Sequence, residues 1–407
     1  MSFLSFLRQN FTWLLAGALL TFTSSFGQTY FISIFAGEIR AEYGLSHGQW
    51  GGIYSLGTFA SAIVMIWAGA LTDTFRVRTL AIYVLFILAV ACLFLAFLPA
   101  VWMLPLAIFL LRFAGQGMTS HIATVAMARW FVAARGRALS IASLGFALGE
   151  ALMPLLFVAL LAITAWQNLW IASALFVVCV IPLLTWLLKS ERTPTSVSEE
   201  TQAVGMSGLY WTRNMMLKHW LFWALIPAIL GPSAFGTAFF FQQVHLAEIK
   251  GWSHVEVVAL FPIYTIAATV SALATGWALD RFGTWRLMPV FQLPFALGFI
   301  LFAMSESLGA AVIAIAFLGI SSGANATLPS AFWADYYGTK HLGSIKAMAT
   351  AVMVLGSAVG PGITGYMIDA GIGFESQMAG FAVYFVLASA LLTPFVLRAT
   401  KLLATSS

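Results

Sequence analysis

The chain has 407 residues, of which 61% are hydrophobic and 8% charged, with a formal net charge of +5. That balance leaves too little polar surface to coat a water-soluble domain, and no basic stripe with interleaved stacking aromatics stands apart from the loops, so a nucleic-acid partner is excluded. Lipid is the expected solvent. Every backbone N–H and C=O in a bilayer must be paired within the protein, so long apolar runs without alternating polarity read as helices and not as barrel strands.

At ~20 apolar residues per crossing, twelve spans follow in order: 12–36, 49–71, 79–98, 102–126, 138–160, 165–188, 218–246, 255–277, 287–304, 308–332, 343–367 and 376–397. The first begins after Arg8 and carries no small-residue cleavage site, so it reads as a retained helix. Cys92 and Cys179 lie inside apolar runs without ligand-like spacing and read as small buried hydrophobes, with no metal expected. Trp50, Trp102, Trp166, Trp170, Trp252 and Trp333 fall near span ends, where indoles form interfacial belts. With the N-terminus in the cytoplasm, sixteen of the nineteen Lys and Arg fall on the inner side, against Arg40 and Lys250 outside and Arg112 within a span. This asymmetry predicts an integral membrane protein with both termini cytoplasmic; a bacterial plasma (inner) membrane is the expected location. Residues 190–217, rich in Ser, Thr, Pro and Glu, read as a cytoplasmic linker between an N-terminal six-helix bundle (1–189) and a C-terminal one (218–407).

The two halves repeat. Gly69-Ala-Leu-Thr-Asp73-Thr-Phe-Arg76-Val-Arg78 returns 207 positions later as Gly276-Trp-Ala-Leu-Asp280-Arg281-Phe-Gly283-Thr-Trp-Arg286, and Gly136, Gly149 and Pro154 match Gly343, Gly356 and Pro361. Slightly shifted, Phe26-Gly27 matches Phe235-Gly236. Six spans per half make the repeats parallel, related by a pseudo-two-fold axis along the membrane normal, with a solute path expected between the halves. Asp73 and Asp280 could each latch onto a neighbouring helix N-terminus. Arg76, Arg78, Arg281 and Arg286 would pair with them or with lipid phosphates; anchoring of orientation alone is the plainer reading of the same residues. Gly145-x-x-x-Gly149 and Gly356-x-x-x-Gly360 read as small-residue seams that let membrane helices approach closely.

These loops resemble the signature G-x-x-x-D-R-x-G-R-[RK] of the major facilitator superfamily of secondary transporters, matched at Gly69, Asp73 and Arg78, with Thr74 and Val77 where the pattern has Arg and Arg76 where it has Gly. The second copy keeps Gly276, Asp280, Arg281 and Gly283, with Arg286 one position beyond the pattern. Arg112-Phe-Ala-Gly115-Gln116-Gly117 is similar to the family's fourth-span pattern, and Gly145 to Pro154 to its fifth-span pattern. The resemblance covers the whole chain and implies an all-α membrane protein of twelve helices in two bundles, with the loop clusters acting as cytoplasmic gates. Ser24 to Phe31 and Gly44-Leu45-Ser46 look like the monocarboxylate and oxalate–formate branch. That branch typically carries a basic residue in the eighth span; Phe261 to Val270 has none, so Arg112 would have to hold a carboxylate from another helix.

Charges at membrane depth are costly and need a reason. Arg112 and Glu150 fall within one turn of equal depth at about 1.5 Å per residue and could pair as a structural bridge. Alternatively Arg112 binds an anionic substrate and Glu150 carries the coupling proton. Arg112, Gly115, Gln116 and Thr119 share one helical stripe, which favours a wet cavity over lipid. Gln28, Tyr30, Gln242, Gln243, Tyr264 and Asn325 are further polar groups that could contact substrate or simply bond between helices. His245 could carry a proton, as could His121; neutral hydrogen bonding is the plainer reading of each. No H-E-x-x-H or Walker loop occurs, so no enzyme and no cofactor are expected. The expected activity is proton-coupled alternating-access transport of a small organic solute, a carboxylate-bearing metabolite first, by a monomer. A neutral or aromatic nutrient such as a vitamin precursor, or drug or toxin efflux, are the alternatives.

Overall fold

The computed structural model describes residues 3–131, 134–189 and 204–403, and among these the regular structure is helical, with no strand. Apolar helices occupy all twelve expected positions. Ten of them, among the described residues, are long and apolar enough to cross a membrane; Phe11–Gly27 and Leu293–Met304 are shorter. The protein is an integral membrane protein. The chain groups into two compact units, one of residues 1–199 with 240–245, the other of residues 200–239 with 246–407. The expected linker lies outside the described residues as far as residue 203. Beyond it come a 3-10 turn at Met206–Gly208 and a short helix at Arg213–Lys218, capped by the Thr212 hydroxyl.

The two short helices correct the expectation of continuous spans at 12–36 and 287–304. Helix Phe11–Thr23 tightens into a 3-10 turn at Ser24–Gly27, breaks at Gln28 with ψ 151°, and resumes at Thr29–Ile32. Hydroxyls compete with the backbone here: Thr23 Oγ1 donates to Leu19 O at 2.7 Å, Ser24 Oγ to Thr21 O at 2.6 Å and Ser33 Oγ to Thr29 O at 2.6 Å. In the ninth span the helix restarts only at Leu293, with Pro294 in its first turn, where a missing N–H costs nothing. Gln292, 1% exposed, fills the gap by donating to Ala228 O.

Within the N-terminal unit the first span packs on the fifth and the third on the sixth. A Cβ at Gly145 would fall onto Ala18 O, and one at Gly149 onto Ser25 Oγ, so the expected seam brings the fifth span's backbone against the first. The C-terminal unit repeats this. A Cβ on Gly356 would stand 2.9 Å from Leu230 O, and one on Gly360 would fall onto Ala234 O, so the eleventh span lies against the seventh. The core of that unit includes a stack of rings, with centroids 4.2 Å apart for Phe235–Phe381, 5.0 Å for Phe295–Phe385 and 5.9 Å for Phe299–Phe385.

Two composition-level readings are corrected. Cys92 is buried but Cys179 is exposed, on the apolar sixth span. Of the expected belt, Trp102 is 73% exposed, whereas Trp50, Trp166, Trp170 and Trp333 are buried and pack against other elements.

Lys250, expected as an outer-loop cation, is 6% exposed at its side chain. Its Nζ lies 2.5 Å from Glu375 Oε1 and donates to Ala303 O and Ser305 O at 2.8 Å each, capping the end of the ninth span and tying it to the start of the twelfth. Lys250→Met should lower the stability of the C-terminal unit by about 1–3 kcal/mol, because two carbonyls lose their donor. Glu375, half-exposed, contributes less, and Glu375→Gln should cost under about 1 kcal/mol. Thermal unfolding in detergent checks the order; a Glu375→Gln effect as large as that of Lys250→Met would reject the capping role.

Candidate functional site

In the N-terminal unit two irregular backbones cross. The fourth span runs from Val101 to Trp130, and its middle, Arg112–Thr119, is wound as a π-helix, with Thr119 Oγ1 donating to Ala114 O at 2.6 Å. Such wide turns cluster at functional sites, and irregular backbone at membrane depth is tolerated only where protein or a wet cavity satisfies it. The partner is the 3-10 turn of the first span. A Cβ on Gly27 would fall onto Leu111 O and stand 2.6 Å from Gln116 N and 2.7 Å from Gly115 Cα. Only glycine admits this approach, and it leaves the Gly27 carbonyl facing the fourth span.

Arg112, 1% exposed, occupies that crossing. Its Nη1 donates to Gly27 O at 3.1 Å and to Thr29 Oγ1 at 3.3 Å, and the guanidinium carbon lies 5.5 Å from the Tyr54 ring centroid. Thr29 Oγ1 is in turn 2.6 Å from the Tyr54 hydroxyl. The π-turn thus carries a cation to the interrupted end of the first span, among a hydroxyl, a phenol and a backbone carbonyl. Gln28 at the break and Gln116 on the π-turn are half-buried nearby in sequence.

Tyr30, 4% exposed, donates to Ser25 Oγ at 2.9 Å and meets Phe146 edge-on at 5.8 Å. Glu150, 9% exposed, lies within electrostatic reach of the same phenol. Gln243 belongs to the six residues of the seventh span that group with this unit, and it is 1% exposed. Its Nε2 donates to Tyr30 O at 3.0 Å and Ser33 Oγ at 2.6 Å, and Ser33 Oγ also lies 2.8 Å from Phe240 O. Gln242 is 4% exposed, and the His245 ring lies 4.3 Å from that of His47. The break at Gln28 therefore gathers Arg112, Tyr30 and Gln243 around one stretch of backbone.

The remaining expected residues stand elsewhere. Tyr264, 8% exposed, and half-buried Asn325 belong to the C-terminal unit, where the eighth and tenth spans cross closely, a Cβ on Gly319 standing 2.5 Å from Tyr264 O. Asp280, Arg281 and Arg286 are exposed, with Arg281 lying 6.0 Å from the Trp277 ring and Arg286 4.6 Å from that of Trp285. The nearby carboxylate of Asp335 accepts from Thr284 Oγ1 at 2.8 Å. In the first copy the Asp73 side chain lies outside the described residues. The loop there is fastened from the fourth span: Arg129 Nη1 donates to Thr72 O at 2.6 Å, and His121 Nε2 lies 3.2 Å from Gly69 O. Arg129 read in sequence as a topogenic charge only; its position two turns beyond His121 on the same helix was the available signal. His121 is a hydrogen-bonding residue of this loop.

The sequence profile of the Major Facilitator Superfamily matches residues 17–304 and 244–404. A gentisate transporter of Corynebacterium glutamicum is 23% identical over 376 residues, covering 89% of this chain and 82% of that one. A multidrug resistance protein B homolog of Mycobacterium tuberculosis is 35% identical over 112 residues, 26% of this chain, and the match spans only 21% of that relative's length. Among solved structures, a bacterial homolog of the human lysosomal transporter Spinster aligns with a TM-score of 0.68 at 16% identity, covering 97% of this chain and 95% of the other. The nucleoside transporter NupG aligns at 0.66 and 13% identity, covering 96% and 98%. At these identities the structural likeness is one of fold.

Proposed function

The chain belongs to the Major Facilitator Superfamily, and from that premise we propose that it is a membrane transporter whose cargo is a small aromatic carboxylate taken up with a proton. The observation that carries this reading is Arg112, a buried cation set beside the Tyr54 ring and hydroxyl-bonded Thr29 at the interrupted end of the first span. A guanidinium presents five donors in a planar fork that suits a carboxylate. The tyrosine faces and Phe146 supply the flat apolar walls that an aromatic ring needs. The gentisate transporter, similar along most of the chain, handles a cargo of this class.

Glu150 is the proposed proton carrier: a carboxyl at depth is tolerated most readily neutral, and its neighbour Tyr30 shares the first span with Thr29. Gln28, Gln116, Gln242, Gln243, Tyr264 and Asn325 are proposed to complete the cargo contacts, with His245 assisting proton movement. The Asp73 and Asp280 loops, with Arg76, Arg78, Arg281 and Arg286, are proposed to gate an alternating-access cycle. The basic loops favour cytoplasmic termini, and the protein is proposed to work in a bacterial inner membrane as a monomer, in bundles 1–189 and 218–407 joined by 190–217.

Uptake into proteoliposomes under an imposed inward proton gradient tests the reading. Labelled hydroxybenzoates should accumulate severalfold over gradient-free controls, and the matching amides should not. Equal flux of acid and amide would refute the carboxylate assignment. The partial match to a multidrug resistance protein favours efflux as the second reading; cationic dye leaving against an inward proton gradient, without acid uptake, is its signature.

A further inference from the structure

Away from the crossing of the first and fourth spans, the basic ends of the third and sixth spans enclose a cavity of about 440 Å³. Among the described residues Arg76, Arg78 and Lys189 line it together with Thr79, Ile82, Tyr83 and Leu188. Arg76 is the N-cap of helix Val77–Ala96 and makes no side-chain cap, so the first N–H groups of that helix add their partial positive charge to the two guanidiniums. Lys189 follows the end of helix Trp166–Leu187, which packs on the third span, and brings the third cation from the opposite chain direction. Three cations converge on one concavity with an apolar floor.

We propose that this cavity binds the phosphate headgroup of an anionic phospholipid. The shared chemistry is that of a phosphate; the lipid source is favoured by what adjoins the cavity. Tyr83 is 64% exposed, and from it an apolar stripe continues down the third span through Phe86 at 60%, Val90 at 45% and Phe97 at 67%. Their spacing of three, four and seven residues puts them on one face. On the sixth span Leu183 and Trp186 are exposed beside it. A headgroup held by the three cations would lay its acyl chains along that stripe. A free phosphate would leave the stripe without a role and would set a strongly hydrated ion against Ile82 and Leu188. Basic pockets between membrane helices at the interface are known to suit acidic headgroups.

The test uses the purified full chain in nanodiscs of phosphatidylcholine with and without phosphatidylglycerol, extracted into mild detergent and weighed intact by native mass spectrometry. Wild-type protein should retain one phosphatidylglycerol, and the double variant Arg78→Gln/Lys189→Gln should retain it at least about tenfold less, whereas Lys340→Gln/Lys401→Gln, with the same charge loss elsewhere, should match wild type. Equal retention by wild type and Arg78→Gln/Lys189→Gln, or equal loss in both double variants, would overturn the proposal. The wild type alone gives a second reading should a variant not fold. Preference for phosphatidylglycerol over phosphatidylcholine supports the site, no preference overturns it, and displacement of the lipid by millimolar inorganic phosphate assigns the cavity to a free anion and overturns the lipid assignment.

Discussion

Arg112→Gln should abolish uptake of an aromatic carboxylate in proteoliposomes while the protein still inserts and folds, and Arg112→Lys should raise KM by about ten- to a hundredfold. The size follows from the bond at stake. A hydrogen bond to a charged group contributes about 1.5–3 kcal/mol, and each 1.4 kcal/mol is about tenfold in affinity. The lysine keeps the charge but not the planar fork, so it cannot present paired parallel donors to a carboxylate while reaching Gly27 O and Thr29 Oγ1. The glutamine keeps neither charge nor reach. Normal KM in Arg112→Lys would remove this residue from the cargo site.

Gly27→Ala should be the most damaging single change in the N-terminal unit. Its methyl group would land on Leu111 O, 2.6 Å from Gln116 N and 2.7 Å from Gly115 Cα, and all three are backbone atoms that cannot rotate aside. Overpacking of this kind costs about 3 kcal/mol or more, enough to abolish accumulation in the membrane or to straighten the π-turn and carry Arg112 away from Thr29. The repeat supplies its own control. Gly236, the counterpart of Gly27, has nothing within 4 Å of a Cβ and lies inside helix Trp220–Phe241. Gly236→Ala should therefore be neutral or stabilising by about 0.5–1 kcal/mol, since alanine loses less backbone entropy in a helix. Expression level and melting temperature in detergent decide between the two; a well-folded Gly27→Ala protein with wild-type transport would contradict the crossing described above.

Those two glycines also mark how far sequence reasoning reached. Both were matched by the repeat, yet nothing in the two Phe-Gly pairs distinguishes a glycine pressed between backbones from one facing open space. The helices themselves were legible, because apolar length is a property of each segment alone. So were the seams at Gly145 to Gly149 and Gly356 to Gly360, whose four-residue spacing marks one helix face. The break at Gln28 was not, although Thr23, Ser24, Ser25 and Ser33 signalled a hydroxyl-rich stretch able to bond its own carbonyls. Its position depends on the fourth span, 85 residues away in sequence, accepting Gly27 and answering with Arg112.

The same holds for the charges. Arg112 stood out because a lone guanidinium in an apolar span demands a partner, and the pairing weighed first was with Glu150 at similar depth. Among the contacts of Arg112 are those to Gly27 O and Thr29 Oγ1 at the first span, and Glu150 lies within electrostatic reach of Tyr30. Lys250 and Arg129 were read only as signs of orientation. Each instead holds carbonyls at a loop, a role that depends on where the loop ends fall and that charge counting does not register.

The most direct test of a carboxylate-binding Arg112 is equilibrium binding of a hydroxybenzoate and of its amide to the purified wild-type protein and to Arg112→Gln. Tight binding of the acid by wild type, at least about tenfold weaker binding of the amide, and loss of that preference in Arg112→Gln are expected. Equal affinity of wild-type protein for acid and amide, or an acid preference that survives in Arg112→Gln, would contradict it.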